Sequence, residues 1–202
     1  MKQIKEKQSG AFESLKGAFG YTNALETPRI VKVIVSAGTG SIKNKKKVDL
    51  IGDRLIKITG QKPAPRLAKQ SIASFKLRQG EPIGYQVTLR GKRMNDFLDR
   101  LINIALPRMR DFRGISAKAI DTMGNYTLGI REHTIFPETG DEEVKDLFGM
   151  AVTIVTTSKN KEETKALLAH LGFPFKTIET SDEPQEKKKK PVKKKKKEKQ
   201  EG

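Results

Sequence analysis

The chain has 202 residues, 35% of them hydrophobic, enough for one domain of ordinary size or two small ones if the polar ends stay out of the core. Its formal net charge is +17; ten Lys against six acidic residues give residues 177–202 a share of +4, which leaves +13 on residues 1–176 and favours a polyanionic partner. The lack of Cys excludes disulfides, thiolate metal sites and cysteine nucleophiles, no apolar run approaches the roughly 18 residues that span a bilayer, and MKQIKEKQSGAF holds no signal core, so a soluble intracellular protein without a membrane partner is expected.

In chain order, residues 1–18 read as a helix with Ile4, Phe12, Leu15 and Phe19 available for packing, weakened by Gly10 and Gly17. After Pro28, RIVKVIVSAG alternates as a strand, with Val31, Val33 and Val35 on one face and Ile30, Lys32, Ile34 and Ser36 on the other. Gly38-Thr39-Gly40 then invites a phosphate-loop reading, but Lys43, Asn44 and Lys45 stand where a third glycine belongs, and a tight turn that lets the backbone approach RNA or a neighbouring loop fits better. Val48, Ile51, Leu55 and Ile58 mark a helix that Gly60 closes as a left-handed cap. GQKPAPRLAKQSIASFKLRQGEP reads as one long basic loop, a length that usually signals function.

Residues 75–116 hold nine Lys or Arg against four Asp or Glu, yet keep clean periodicities. Ile83, Tyr85, Val87 and Leu89 alternate with Gly84, Gln86, Thr88 and Arg90, a half-buried strand. From Met94 the period turns helical through Phe97, Leu98, Leu101, Ile102 and Ala105, until Pro107 stops it, and Arg108, Arg110 and Arg113 cluster behind. A short strand at residues 115–120, a turn through Met123 and Gly124, a strand over 126–130, and a β-branched strand in GMAVTIVTTS follow. Asp141, Glu142 and Glu143 suit a helix start better than a metal or catalytic cluster. Ser158 or Asn160 is the expected cap of the last helix, which Gly172 ends. Neither His133 nor His170 has a second histidine at metal-ligand spacing, and His170 suits a helix's last turn.

This alternation predicts an α+β fold over residues 1–176, a mostly antiparallel sheet with helices packed on one face, followed by a disordered Lys-rich extension, residues 177–202, acting as a nonspecific electrostatic tether. The free face of such a sheet is a natural RNA platform. Base-stacking strand motifs are absent, and Tyr85 and Tyr126 share faces with aliphatic residues. Recognition should therefore rest on phosphate, sugar and shape, with Gln86 and Thr88 supplying local hydrogen bonds.

The strings TGQKP, SFKLRQGEPIG, VTLRGKRM, LPRMRDFRGIS, GNYTLGIRE and IFPE, in this order and spacing, resemble the family of the fifth protein of the bacterial large ribosomal subunit, over roughly residues 12–176. The resemblance implies a structural, non-enzymatic component of the cytoplasmic ribosome without cofactor or metal. It would bind 5S rRNA in the central protuberance beside 23S rRNA and other central-protuberance proteins. One loop would contact the P-site tRNA, and an intersubunit bridge would reach a small-subunit head protein. The family's 5S rRNA contacts fall on Ser36, Gln61 and Thr88; Ser36 stands where the family usually has Asn and so loses a donor and acceptor pair. Arg90, on the same face as Thr88, is added as a phosphate contact. The tRNA-facing loop matches residues 71–78, with Ser71 and Phe75 inside it and Lys69, Lys76 and Arg78 supplying charge, while Gln70 replaces a commonly basic residue. The bridge surface involves Arg110, Asp111, Phe112, Arg113 and Gly114, and the turn before Tyr126 is a further candidate. The family pattern does not predict the Lys-rich extension. Two other classes compete: an RNA-processing or nucleotide-using enzyme, which would need the Gly38 loop or the acidic cluster to bind a metal or nucleotide, and a nonspecific nucleic-acid condensing protein driven by the tail.

Overall fold

Alternating β-branched residues lay down the centre of a five-stranded sheet. The computed structural model describes residues 3–42, 44–110, 112–140 and 147–176; the Lys-rich extension and Asp141, Glu142 and Glu143 lie outside them. The strands are β1 (Ile30–Gly38), β2 (Ala64–Leu67), β3 (Pro82–Leu89), β4 (Tyr126–Ile130) and β5 (Met150–Thr156), in the order β2-β3-β1-β5-β4 and antiparallel throughout. Val33, Val35, Val87, Leu89, Val152, Ile154 and Tyr126 are all at most 1% exposed, so one face is core. The expected α+β architecture is what forms.

Two details of the strands differ from the sequence reading. Ile30 pairs with Thr156 but Lys32 with Val155, so Val31 is an extra residue, a β-bulge. The bulge moves Ile30 into the core at 4% exposure and turns Val31 outward, reversing the expected faces of those two residues. The second difference is β2, which lies within the segment read as loop. It pairs with β3 from Ala64 opposite Gln86 to Leu67 opposite Pro82. Pro65 is tolerated because β2 is an edge strand, where a missing N–H on the outer side breaks no ladder.

Helices cover the core face. The N-terminal helix breaks at Gly10 into α1 (Ile4–Ser9) and α2 (Ala11–Phe19). α1 is fastened at both ends: Ile4 N donates to Asp99 Oδ1, Lys7 Nζ donates to Leu171 O at 2.9 Å, and His170 Nε2 lies 2.8 Å from Lys7 O. α3 (Lys45–Thr59) is capped by Asn44, whose side chain accepts from Lys46 N, and closed by the left-handed Gly60 as expected. α4 (Gly91–Arg100) runs into a π turn, Leu101–Ala105, in which Leu106 N donates to Leu101 O. The wider turn brings Leu101, Ile102, Ala105 and Leu106 all into the core, a broader apolar stripe than an undisturbed helix presents there. In place of the short strand expected at 115–120, a 3-10 turn spans Ala117–Ala119, with single bridges at Ile115 and Ile120.

α5 (Lys161–Leu171) begins after Asn160, but neither Asn160 nor Ser158 caps it through a side chain; Glu163 reaches back to accept from Lys159 N at 2.9 Å. Its first turn grips the β4 entry instead. Gly124 O accepts from both Thr156 Oγ1 and Thr164 Oγ1, while Asp121 Oδ1 accepts from Met123 N and Asn125 N. Gly124 has φ +75°, and a Cβ there would stand 2.7 Å from Ser158 O and 2.9 Å from Thr164 Oγ1. Gly124→Ala is therefore expected to lower unfolding free energy by about 2–4 kcal/mol. Gly17→Ala, in α2 with nothing within 4 Å of the new methyl, should raise it by roughly 0.5–1 kcal/mol. Urea titration of both variants checks the pair.

Candidate nucleic-acid interface

The face opposite the core can be read row by row from the strand pairings. Ser36 lies between Gln86 and Ala151, with Ala64 beyond Gln86 and Gly129 beyond Ala151. Ile34 lies between Thr88 and Thr153, and Thr127 follows. Gly38, Gly84 and Arg66 form a third row, and Lys32 with Val155 a fourth. None of these described residues is acidic or aromatic, so the face is low in relief, mostly neutral, and cationic only at Lys32 and Arg66. Such a surface repels no phosphate and admits a backbone closely.

Of the four residues predicted to meet 5S rRNA, Ser36 and Thr88 lie on this face as diagonal neighbours. Ser36 Oγ donates weakly to Ala151 O at 3.5 Å. Gln61 sits just before β2, and pairing of Ala64 with Gln86 brings the incoming chain to the Thr88 end of β3. Its backbone is tied to Thr59, whose Oγ1 donates to Gln61 O at 3.1 Å and to Leu55 O at 2.6 Å, and the end of α3 before it is held by Arg100, which pairs with Glu138 and donates from Nη2 to Ile58 O at 2.9 Å. Arg90 is the residue before α4, extended and exposed, so it continues the alternation from Thr88. The side chains of Gln61, Thr88 and Arg90 have no hydrogen-bond partner among the described residues, which leaves their polar groups available.

Gln86 is different. Its side-chain oxygen accepts from Arg66 Nε, so it positions an arginine on the face and is not itself a free reader. Arg66 escaped sequence reading because β2 did: all four residues of APRL are exposed, and only pairing with β3 makes the segment a strand. Tyr85 and Tyr126 are core aromatics as expected, and burial pushes the Tyr126 phenol up to about 12.

Residues 68–81 form a long hairpin extension of β2 and β3. Ala68 N donates to Glu81 O, Gly80 N to Ala68 O, and Ile72 and Leu77 exchange both backbone bonds. Ser71 Oγ accepts from Gln79 N at 3.0 Å, so Ser71 closes the hairpin from within. Lys69, Phe75, Lys76 and Arg78 remain outside, Phe75 at 69% exposure on the tip. The hairpin leaves from the Pro82 end of β3, about 20–25 Å at ordinary strand rise from the Gln61–Thr88–Arg90 group at the other end.

Arg110 and Arg113 are exposed, while Phe112 between them is half-buried and packs on the core. Asp111 lies outside the described residues. Gly114, at φ +95°, lets this loop run against the end of the described chain: a Cβ there would be 2.8 Å from Lys176 N, and Ile115 N donates to Pro174 O while its O accepts from Lys176 N.

The rival sites find little support. Thr39 N donates to Ile83 O and Ile42 N to Thr39 O, so amides a phosphate cradle needs are engaged in the turn. His133 is buried and stacked on Phe148 with centroids 4.1 Å apart. Among the described residues, no group of three or more His, Cys, Asp or Glu could hold a metal ion, and no helix is long and apolar enough to cross a membrane.

A sheet with one buried face and one carboxylate-free face, flanked by cationic loops, defines a polyanion-binding scaffold. Two family models match it: "Ribosomal protein L5" over residues 23–78, and the model for the C-terminus of the same ribosomal family over residues 82–175. The first supplies β1 and β2 and the second β3, β4 and β5, so both contribute to one sheet. Large ribosomal subunit protein uL5 of Trichlorobacter lovleyi is 54% identical over 170 residues, covering 84% of this chain and 95% of that protein. Those of Flavobacterium johnsoniae and Geobacter sulfurreducens are 51% and 52% identical, covering 85% and 81% of this chain and 94% and 92% of theirs. The chain belongs to the ribosomal protein L5 family. It is a structural, non-enzymatic constituent of the large subunit, and its place is the cytoplasmic ribosome.

Lys76 is the one described non-glycine residue with positive φ, at 54°. Lys76→Gly should raise unfolding free energy by up to about 1 kcal/mol, measured by urea titration, which would mark the lysine as kept for its charge at the hairpin tip.

Proposed function

We propose that this protein binds 5S rRNA through the open sheet face in the central protuberance, next to 23S rRNA and neighbouring proteins. The observation that carries this reading is the convergence of unpartnered Thr88, Gln61 and Arg90, with Ser36 alongside, on a surface without carboxylates. Neutral hydroxyl and amide groups there suit sugar and base edges; Arg90, Arg66 and Lys32 suit phosphates. The hairpin is proposed to reach the P-site tRNA through Phe75, Lys76 and Arg78, with Lys69 adding charge at its base and Ser71 holding it closed. Arg110 and Arg113 are proposed to face a small-subunit head protein across the intersubunit bridge. In this scheme residues 1–176 act as the folded unit and residues 177–202 as an electrostatic tether.

Gln61→Ala and Thr88→Ala should each weaken 5S rRNA binding roughly tenfold, the effect of about 1–1.5 kcal/mol of hydrogen bonding. Arg90→Ala should lower the slope of log affinity against log salt by about one. Filter binding across a salt series checks both, with tail deletion as control: loss of binding on tail removal alone would favour nonspecific condensation. Removing residues 71–78 leaves the Ala68 pairing with Gly80 and Glu81 available to close a shorter hairpin. That deletion should spare 5S rRNA binding and impair tRNA-dependent ribosome function.

A further inference from the structure

On the helix layer, away from the open sheet face, the break at Gly10 turns α1 against the chain entering β1 and leaves a groove of about 320 Å³. Lys5 and Gln8 line it from α1, Phe12 from α2, and Thr27 and Arg29 from the approach to β1. We propose that this groove holds a single nucleotide of ribosomal RNA, at a contact separate from the 5S rRNA surface.

Four observations carry it. No carboxylate lines the groove, and neither Lys5 nor Arg29 has an ion-pair partner among the described residues. Phe12 lines the groove with an aromatic ring, over one face of which Lys16 Nζ sits 5.5 Å from the centroid. The Thr27 hydroxyl at its wall is buried without a hydrogen-bond partner among the described residues, an uncommon and costly condition. Arg29 projects from a rigid base, since Arg29 N donates to Thr157 Oγ1 and Thr157 N donates to Arg29 O, both at 3.0 Å. An aromatic ring, unpaired cations and neutral hydrogen-bonding groups are the combination that recognises an unstacked nucleotide. The volume lies at the low end of small-ligand pockets, about 300–1,000 Å³; it suits one nucleotide and not a helix or strand of another protein. A duplex on the open sheet face cannot also fill it, because α1 and α2 pack with α4 and α5 on the core side of the sheet.

This inference rests on the RNA-binding role but not on the residues assigned to 5S rRNA. The full-length chain carrying Gln8→p-benzoylphenylalanine is incorporated into large subunits in cells, irradiated, and its crosslinks mapped. One rRNA position is expected. Adding Lys5→Glu and Arg29→Glu should lower that crosslink roughly tenfold while the free protein keeps its 5S rRNA affinity within about twofold. Arg29→Gln, which preserves the backbone clamp, replaces the double variant if the latter fails to incorporate. Crosslinking to protein only, to many scattered rRNA positions, or to nothing in subunits that contain the chain overturns the proposal. So does AMP binding to the free protein without any rRNA crosslink. Failure of the 5S rRNA assignment would show separately, as affinity indifferent to Gln61→Ala and Thr88→Ala.

Discussion

The register of β1 between β3 and β5 is the constraint on which both faces of this protein depend. Val35 lies between Val87 and Val152, and the next residue, Ser36, between Gln86 and Ala151. Because side chains alternate with period two, a slip of one residue would send Lys32, Ile34 and Ser36 into the core and Val33 and Val35 into solvent. Each fully buried Val, Leu or Ile contributes about 1.5–3 kcal/mol, and five of them, Val33, Val35, Leu89, Val152 and Ile154, are sealed on the inner face. The core therefore fixes which residues the outer face presents. The bulge at Val31 obeys the same rule: it adjusts the end of the strand so that Ile30 also reaches the core.

That dependence explains what the sequence made legible. Alternation in residues 32–36 and 83–90 reports the buried face directly, so Ser36 and Thr88 could be put on the polar side from pattern alone. β2 could not be found this way: all four residues are exposed, its Pro65 argues against a strand, and only the partner β3 makes it one. Arg66 was hidden with it. The bulge likewise depends on β5, more than a hundred residues away. Gln61 became a candidate only through family resemblance, because its place results from the α3 cap, the Arg100 tie and the entry into β2 acting together. Phe112 sits among exposed arginines in sequence, yet its ring packs on the core, a contact that residue spacing alone does not reveal.

Rigidity away from the sheet comes from polar ties that periodicity does not reveal. Arg100 links the end of α3 to Glu138, Lys7 and His170 link α1 to α5, and the Gly124 carbonyl draws Thr156 and Thr164 together. These ties hold loops that present cations. The hairpin follows the same logic, since Ser71 and the Ile72–Leu77 pair close it while Phe75 and Lys76 remain outside. Ordering such segments before binding reduces the conformational entropy lost on contact.

The distribution of charge over the open face then separates two tasks. Its centre, Ser36, Ile34, Thr88, Ala151 and Thr153, is neutral and shallow, while Lys32, Arg66 and Arg90 stand towards its ends and edge. Cations bind any phosphate backbone, with an affinity that falls as salt displaces them. Hydroxyls and a side-chain amide add little attraction at long range but demand matched geometry at contact, and an unmatched polar group costs as much as a bond gained. A face made only of arginine and lysine would bind RNA without choosing among RNAs. One made only of threonine and serine would choose without holding. In the proposed role, their arrangement on a sheet whose register cannot slip would let the same few residues do both.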